Sequence, residues 1–312
     1  MSALRILEPG PSTVVEDLGR PGREHEGIAP SGAFDHAAHA RARRLVGNAP
    51  GAAGLEVLIG GLVAVAVGDL VIAVSGAACP VHVDGRAEGG DVALVVRSGA
   101  TLRLGSARSG IRAYLAVRGG LAVPPVLGSR SRDAGGRFGP PPLTAGVELP
   151  VGDEVAGQPS YEPVMVPPLA PSLVSPELVL LPGPHDELLA AGGAQWLRGT
   201  AWQVRPESDR MGVRLAAGSA PPHRWLRAVP GGLPSFPVVP GSVQVLPSGD
   251  LVVLGPDAGV TGGYAVVGVV DRAGLDLLAQ AAPGQRLRIG LVTRRNPRQG
   301  PGVSRGDRRQ YQ

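Results

Sequence analysis

Apolar, β-branched runs in this chain are cut by glycine after only a few residues, and this rhythm restricts the fold more than any other feature. The stretches VAVAVGDLVIAVSGA (63–77, with one turn inside) and GDLVVLGPDAGVTGGYAVVGVV (249–270) show it. Such runs are too short for ordinary helices and suit strands joined by tight turns. With 48 Gly and 32 Pro in 312 residues and only 3% aromatics, low complexity is the competing reading. The 43% hydrophobic content argues against it, because it supplies enough apolar side chains for packed cores. The expectation is a mainly β protein.

Six prolines between Pro159 and Pro176 (with Pro163, Pro167, Pro168 and Pro171) stiffen one stretch and prevent helix formation there. The predicted organisation is therefore a β-rich domain over 1–158, a Pro-rich linker over 159–176, a second β-rich domain over 177–290 and a disordered basic tail over 291–312. The first domain contains one strong helix signal: Asp35 as cap, helix formers from Ala37 to Val46, and Gly47-Asn48 as the stop. In the second, weaker helices are expected near 186–197 and 273–281.

The sequence pI of about 9.9 suggests a polyanion partner, but the distribution of charge does not. Six of the 30 basic residues and one of the 26 acidic residues lie in the last 22 positions, so the body is close to neutral. No nucleic-acid or membrane partner is expected. All 30 of those basic residues are arginine. Without lysine the chain by itself cannot supply a P-loop Lys, a Schiff base or a biotinylated side chain. Any ATP- or biotin-dependent step needs another chain. Cys79 is the single cysteine, which fits a reducing compartment and a small core residue. MSALRILEPG lacks the apolar core of a signal peptide, and a soluble, cytoplasmic protein is expected.

Four segments gather polar and turn residues. In VEDLGRPG (15–22), Arg20 offers a planar fork for a carboxylate or phosphate, with Asp17 to orient it; a tight turn with a local ion pair is the alternative. In GIAPSGAFD (27–35), the loop holding Ser31 runs into the helix at Asp35, where free N–H groups suit an anion or simply a cap. PESDRMG (206–212) sets Ser208 and Asp209 before Arg210, for a polar ligand or a structural ion pair. DAGVTGGY (257–264) brings Thr261, Gly262, Gly263 and Tyr264 into a Gly-rich loop that without Lys is no Walker loop. His36 and His39 share a helix face, but no third metal ligand is evident. No catalytic residue is assigned.

These segments, with RRLVGN (43–48), LEVLIGG (55–61), SGA (75–77), IRAYLAVRGGLAVPPVLGSRS (111–131), LLPGPHD (180–186), PGSVQV (240–245) and LAQAAPGQRLRI (278–289), resemble the carboxyltransferase-like, allophanate hydrolase subunit 2 type family. That family includes the C-type component of 5-oxoprolinase, the KipA-type proteins and the related module of urea carboxylase. The resemblance implies two cyclophilin-like β-barrel domains. It also implies a place in an ATP-dependent 5-oxoprolinase that opens 5-oxo-L-proline to L-glutamate with an A-type chain and a KipI-like, B-type chain. ATP with Mg would be used by the complex, with no cofactor covalently bound. The implied ligand-binding positions are Asp17, Arg20, Ser31, Asp35, Ser208, Asp209, Arg210, Thr261, Gly262, Gly263 and Tyr264. A non-catalytic KipA-type regulator that binds a kinase-inhibitor partner, or the carboxyltransferase part of a urea carboxylase/allophanate hydrolase system, are the alternatives.

The sequence departs from the family pattern in several places. Ala40 and Arg43 stand where an Arg and an Asn are usual. Ser235-Phe236-Pro237 lacks the expected Glu. Asp257-Ala258-Gly259-Val260 lacks the expected Arg, and Ala265 replaces a proline.

Overall fold

A computed structural model of the chain describes residues 2–135, 138–165, 175–218 and 225–292. The centre of the expected linker, with Pro167, Pro168 and Pro171, and the basic tail from residue 293 lie outside the described residues. The first half is built from β1 (Ala3–Pro9), β2 (Ser12–Glu16), α1 (His36–Leu45), β3 (Gly54–Leu58), β4 (Leu62–Val67), β5 (Leu70–Gly76), β6 (Val81–Val83), β7 (Arg86–Glu88), β8 (Leu94–Val96), β9 (Thr101–Leu104), β10 (Arg112–Val117) and β11 (Glu148–Pro150). Its strands form two antiparallel sheets, ordered β11-β1-β4-β9-β6-β7 and β2-β3-β10-β5-β8. One apolar core lies between them, with Leu4, Ile6, Leu55, Val57, Ile72, Leu102 and Leu115 almost fully buried. Successive strands cross between the sheets at glycine corners. At one of them Gly60 has φ +90°, and a Cβ there would collide with the Gly105 carbonyl, so only glycine fits.

The second half comprises β12 (Glu177–Pro182), α2 (Gly193–Gly199), β13 (Trp202–Val204), β14 (Gly212–Ala217), β15 (Phe236–Pro237), β16 (Ser242–Val245), β17 (Leu251–Leu254), β18 (Thr261–Gly262), β19 (Val266–Val270), α3 (Arg272–Ala279) and β20 (Arg286–Leu291). Seven of its strands close a barrel in the order β12-β19-β16-β17-β14-β13-β20, completed by the parallel pair β12–β20. Alternate side chains fill it, among them Leu178, Leu180, Trp202, Val204, Val213, Leu215, Leu287 and Ile289. The mainly β architecture is as expected. The helix expected at 37–46 forms at His36–Leu45, with the Asp35 carboxylate accepting the Ala38 N–H. The one expected near 186–197 is shorter. A single 3-10 turn (Asp186–Leu188) precedes α2, and Gly192 at φ +82° separates them. No helix among the described residues is long and apolar enough to cross a membrane.

The sheet β2-β3-β10-β5 is buried on both faces. Val15, Leu55, Val57 and Leu115 point into the first core. Val14, Glu56, Tyr114 and Ser75 stand in register across the opposite face. Helix α1 covers one end of that face, packing Ala38, Ala42 and Leu45 on Ala73, Tyr114 and Ala116. The second half covers the other end. Phe34, from the loop before α1, packs into the core of the second half. The Gln280 side chain, after α3, accepts the Ile111 and Arg112 N–H groups and donates to Asp35 and the Arg112 carbonyl.

Candidate active site at the junction of the halves

An apolar row in which one strand position carries Glu56 demands a compensating partner, because a buried carboxylate is tolerated only when paired and hydrogen-bonded. Glu56 is 4% exposed and accepts from the Phe34 N–H (3.0 Å), the Tyr114 hydroxyl (2.8 Å), Arg112 Nε (3.2 Å) and Arg210 Nη1 (2.9 Å). Burial would raise its pKa, but Arg210 and Arg112 together outweigh burial and hold it at about 2. Arg210 comes from the second half and is saturated. Besides Glu56 it binds Asp257 (Nε to Oδ2, 2.8 Å; Nη2 to Oδ1, 3.2 Å) and the Gly32 carbonyl (2.6 Å), and its Nη2 lies 3.3 Å from Glu16. Burial opposes the charge on Arg210, yet Glu16, Glu56 and Asp257 hold its pKa well above the ordinary value.

Glu16 differs from Glu56. It is fully buried, and its carboxyl group is poorly satisfied, with Arg210 at 3.3 Å and the Ser131 hydroxyl as its nearby donors among the described residues. Burial raises its pKa well above the carboxylate range, with Arg210 only partly offsetting.

The two loops of the first half pack against this cluster. Asp17 is buried in a nest of donors: the hydroxyls of Ser129 (2.6 Å) and Ser131 (2.7 Å) and the N–H groups of Arg130 (2.6 Å) and Gly19 (2.8 Å). Arg20 is 3% exposed and gives Nη2 to the Ser131 carbonyl, while its Nε and Nη1 have no partner among the described residues. Asp17 and Arg20 therefore do not pair; each is fixed by the segment 129–131. Ser31 adopts φ +54° with its buried hydroxyl unpartnered, and its N–H donates to the Pro256 carbonyl of the second half (2.9 Å). Gly19 lets the loops approach, since a Cβ there would run into the Pro30 carbonyl. Asp35 both caps α1 and accepts Gln280 Nε2 (2.7 Å), and burial raises its pKa. Ser31, Asp35 and Arg210 thus bond across the junction of the halves, while Asp17 and Arg20 are held by the segment 129–131 of the first half.

The remaining expected positions lie on the second half. Ser208 and Asp209 shape the turn before β14: the Ser208 hydroxyl accepts the Arg214 N–H (3.0 Å), and Asp209 Oδ1 accepts those of Met211 (2.8 Å) and Gly212 (3.1 Å). This turn separates two cavities. One, of about 350 Å³, lies between the halves and is lined by Glu56, Arg112, Arg132, Ser208, Asp209 and Arg210 among others. The other, of about 490 Å³, is lined by Asp209, Gln244, Thr261, Gly262, Gly263 and Tyr264. Thr261 and Gly262 pair as β18 with Phe236 and Pro237 of β15. The departures Phe236 and Ala258 join one apolar cluster with Val238, Leu254 and Val266. Losing the expected Glu and the expected Arg together leaves no buried charge unpaired there.

His36 and His39 stay apart from this chemistry: burial lowers both to about 4, which leaves them neutral at pH 7. The Cys79 thiol is half-buried, and burial pushes it up to about 11, so it is no ready nucleophile. Among the described residues no cluster of three His, Cys, Asp or Glu side chains is arranged to hold a metal. Sequence reasoning missed Glu16, Glu56, Arg112, Tyr114, Ser129, Ser131 and Gln280. The available signal was a charged residue inside an apolar strand, as in LEVL (55–58).

Fold and site define a bipartite β protein whose polar centre is assembled from two subdomains. The chain belongs to the carboxyltransferase domain family, subdomains A and B, whose pattern matches residues 26–290. It is 36% identical over 288 residues to the C-type component of Escherichia coli 5-oxoprolinase, covering 90% of this chain and 89% of that protein. The urea amidolyase of Saccharomyces cerevisiae is 29% identical over 92% of this chain, but over only 16% of its own length. The crystal structure of TTHA0988 superposes with a TM-score of 0.81 at 36% identity, over 93% of this chain and 56% of that one. The K. lactis urea amidolyase does so with a TM-score of 0.83 at 29% identity, over 93% of this chain and 19% of that one. The chain thus spans about half of one solved relative and a fifth of the other.

Proposed function

We propose that this chain is the C-type component of an ATP-dependent 5-oxoprolinase, acting in the cytoplasm with an A-type chain and a KipI-like, B-type chain to hydrolyse 5-oxo-L-proline to L-glutamate. One observation carries the reading. The similarity to the C-type component of the E. coli enzyme runs through nine-tenths of this chain and almost as much of that protein. In the urea amidolyases the matching region is a minor part of a much longer chain.

In this reading the lactam carbonyl is activated by phosphoryl transfer from ATP with Mg. Water then adds to the activated carbon and the ring nitrogen leaves with a proton, giving a γ-glutamyl phosphate that a second water hydrolyses to L-glutamate and inorganic phosphate. With no lysine in the chain for a P-loop, this reading gives the grip on the nucleotide phosphates to a partner chain. This chain contributes the cavity between the halves. Its floor is pre-set, because Glu56 locks Arg112 and Arg210 in place and no reorganisation is needed when substrate arrives. The junction residues Asp17, Arg20, Ser31 and Asp35 hold the loops around it. Ser208 and Asp209 form its outer turn, and Thr261 to Tyr264 line the adjoining cavity.

The test is 5-oxoproline-dependent ATP hydrolysis by the three purified chains, each omitted in turn. Activity that vanishes without this chain supports the reading. Activity within about two-fold in Arg20→Ala and Arg210→Ala, a barrier change of about 0.4 kcal/mol, would refute the site. The replacement of the expected Glu and Arg by Phe236 and Ala258 favours a second reading, a KipA-type regulator that binds the KipI-like chain without catalysis. Unchanged activity on omission, with binding to the KipI-like chain intact, is its signature.

A further inference from the structure

The cavity between the halves contains a guanidinium, that of Arg132, that no other described residue engages. Of the charged groups lining it, Glu56, Arg112 and Arg210 are committed to one another. Asp209 sits on the exposed rim and spends Oδ1 on two backbone N–H groups of its own turn. Arg132 is half-buried. Its backbone N–H donates to the Val15 carbonyl (3.2 Å), but its side chain makes no hydrogen bond or ion pair among the described residues. It is an arginine in a concave site between two domains, where ligands preferentially bind.

Apart from Ser12 and Ser208, the rest of the wall is apolar, with Val14, Leu58, Ile59, Ile111, Pro142 and Pro283 among its residues. Ile59 is unusual. It is β-branched, yet it holds φ +64°, a left-handed conformation that such residues rarely adopt. Its backbone is clamped by bonds from the Ile59 N–H to the Ile111 carbonyl (2.6 Å) and from the Ala107 N–H to the Ile59 carbonyl (2.8 Å). The side chain is 46% exposed, so core burial does not explain the choice. What the conformation does achieve is a fixed apolar wall in the same cavity as the uncommitted guanidinium, and strain of this kind concentrates at functional sites.

We propose that this cavity binds a small cyclic carboxylate monoanion. Arg132 pairs with the carboxylate in the planar, two-pronged manner of guanidinium groups, and the Ile59–Ile111 wall packs on the ring methylenes. Identification of that acid as 5-oxo-L-proline rests on the proposed function; the carboxylate and ring recognition does not.

The experiment is calorimetric titration of the full chain with 5-oxo-L-proline, cyclopentanecarboxylate and 2-pyrrolidinone, the last a ring lactam without the carboxylate. Wild type, Arg132→Gln and Arg132→Lys are compared, alongside KM for 5-oxo-L-proline in the three-chain mixture. Both acids are expected to bind more tightly than 2-pyrrolidinone. Arg132→Gln should weaken the acids about ten- to a hundredfold and leave 2-pyrrolidinone within about two-fold, with Arg132→Lys intermediate. Failure of both acids to bind, or an Arg132→Gln affinity within about two-fold of wild type, overturns the proposal. If cyclopentanecarboxylate binds through Arg132 while the mixture does not cleave 5-oxo-L-proline, only the oxoprolinase reading falls. Cleavage with an unchanged KM in Arg132→Gln overturns this assignment and leaves that reading intact.

Discussion

Replacing Arg210 by methionine tests the account of the junction most directly. The guanidinium contacts three carboxyl groups, and Glu16 and Asp257 show no side-chain exposure while Glu56 shows 4%. Each such contact is worth about 4 kcal/mol at an effective dielectric near 20, but desolvation and repulsion among the acids consume most of that gain. The loss on removing Arg210 is therefore set by the charge left behind, about 3–5 kcal/mol, a large share of the stability of an ordinary domain. Its pH dependence is diagnostic. In wild type, Glu56 is held at about 2, below its unfolded value, so its stabilisation is present above about 4.3 and fades as pH falls towards 2. In Arg210→Met, burial acts on Glu56 with one guanidinium fewer to oppose it. Its pKa rises, and the stabilisation drains away as pH increases. The gap between the two proteins should be smallest at the acid end, towards pH 2, and widest above pH 7. Urea denaturation followed by the fluorescence of Trp202 and Trp225, both buried in the second half, measures it. A loss below about 1 kcal/mol at pH 7, or one that is flat with pH, would refute the reasoning.

Two further outcomes follow from the same joint. Phe34→Ala empties a site in the second core and removes the ring lying 4.8 Å from the Arg112 guanidinium, so a loss of about 3–5 kcal/mol is expected in the same urea assay. Asp276 accepts the His36 N–H (2.8 Å), and burial, with help from the charge of Asp35, raises it to about 6. A raised carboxyl contributes stability that is complete below its unfolded pKa near 4 and lost as pH rises through about 6. Asp276→Asn keeps the acceptor without the charge. Its melting temperature should exceed that of wild type at pH 8, with the advantage gone near pH 4; a constant difference across that range would count against this account.

The short glycine-bounded runs made the mainly β class legible, because a strand needs only a few alternating residues and a turn, and both are local. The Asp35 cap was legible for the same reason: its carboxylate satisfies an N–H three residues on. The motif loops drew attention to Asp17, Arg20, Ser31 and Arg210, although what each holds could not be read. In sequence Arg20 reads as a partner for Asp17, but Arg20 donates to the Ser131 carbonyl while Asp17 is held by Ser129, Arg130 and Ser131, more than a hundred residues away.

Composition alone settled what this polypeptide lacks: without lysine, it offers no side-chain amine to grip a phosphate or carry biotin. Only the tertiary structure decided that Glu16 and Glu56 on neighbouring strands, Arg112 on a third, and Arg210 with Asp257 from the other half form one charge cluster. It also decided that the Arg132 side chain stands beside them with no partner among the described residues. The physical reason is that strand alternation and turn chemistry act over a few residues and are written in order along the chain. The cost of burying a charge is instead met by whichever residues folding brings within about 3 Å, and their separation in sequence places no limit on that.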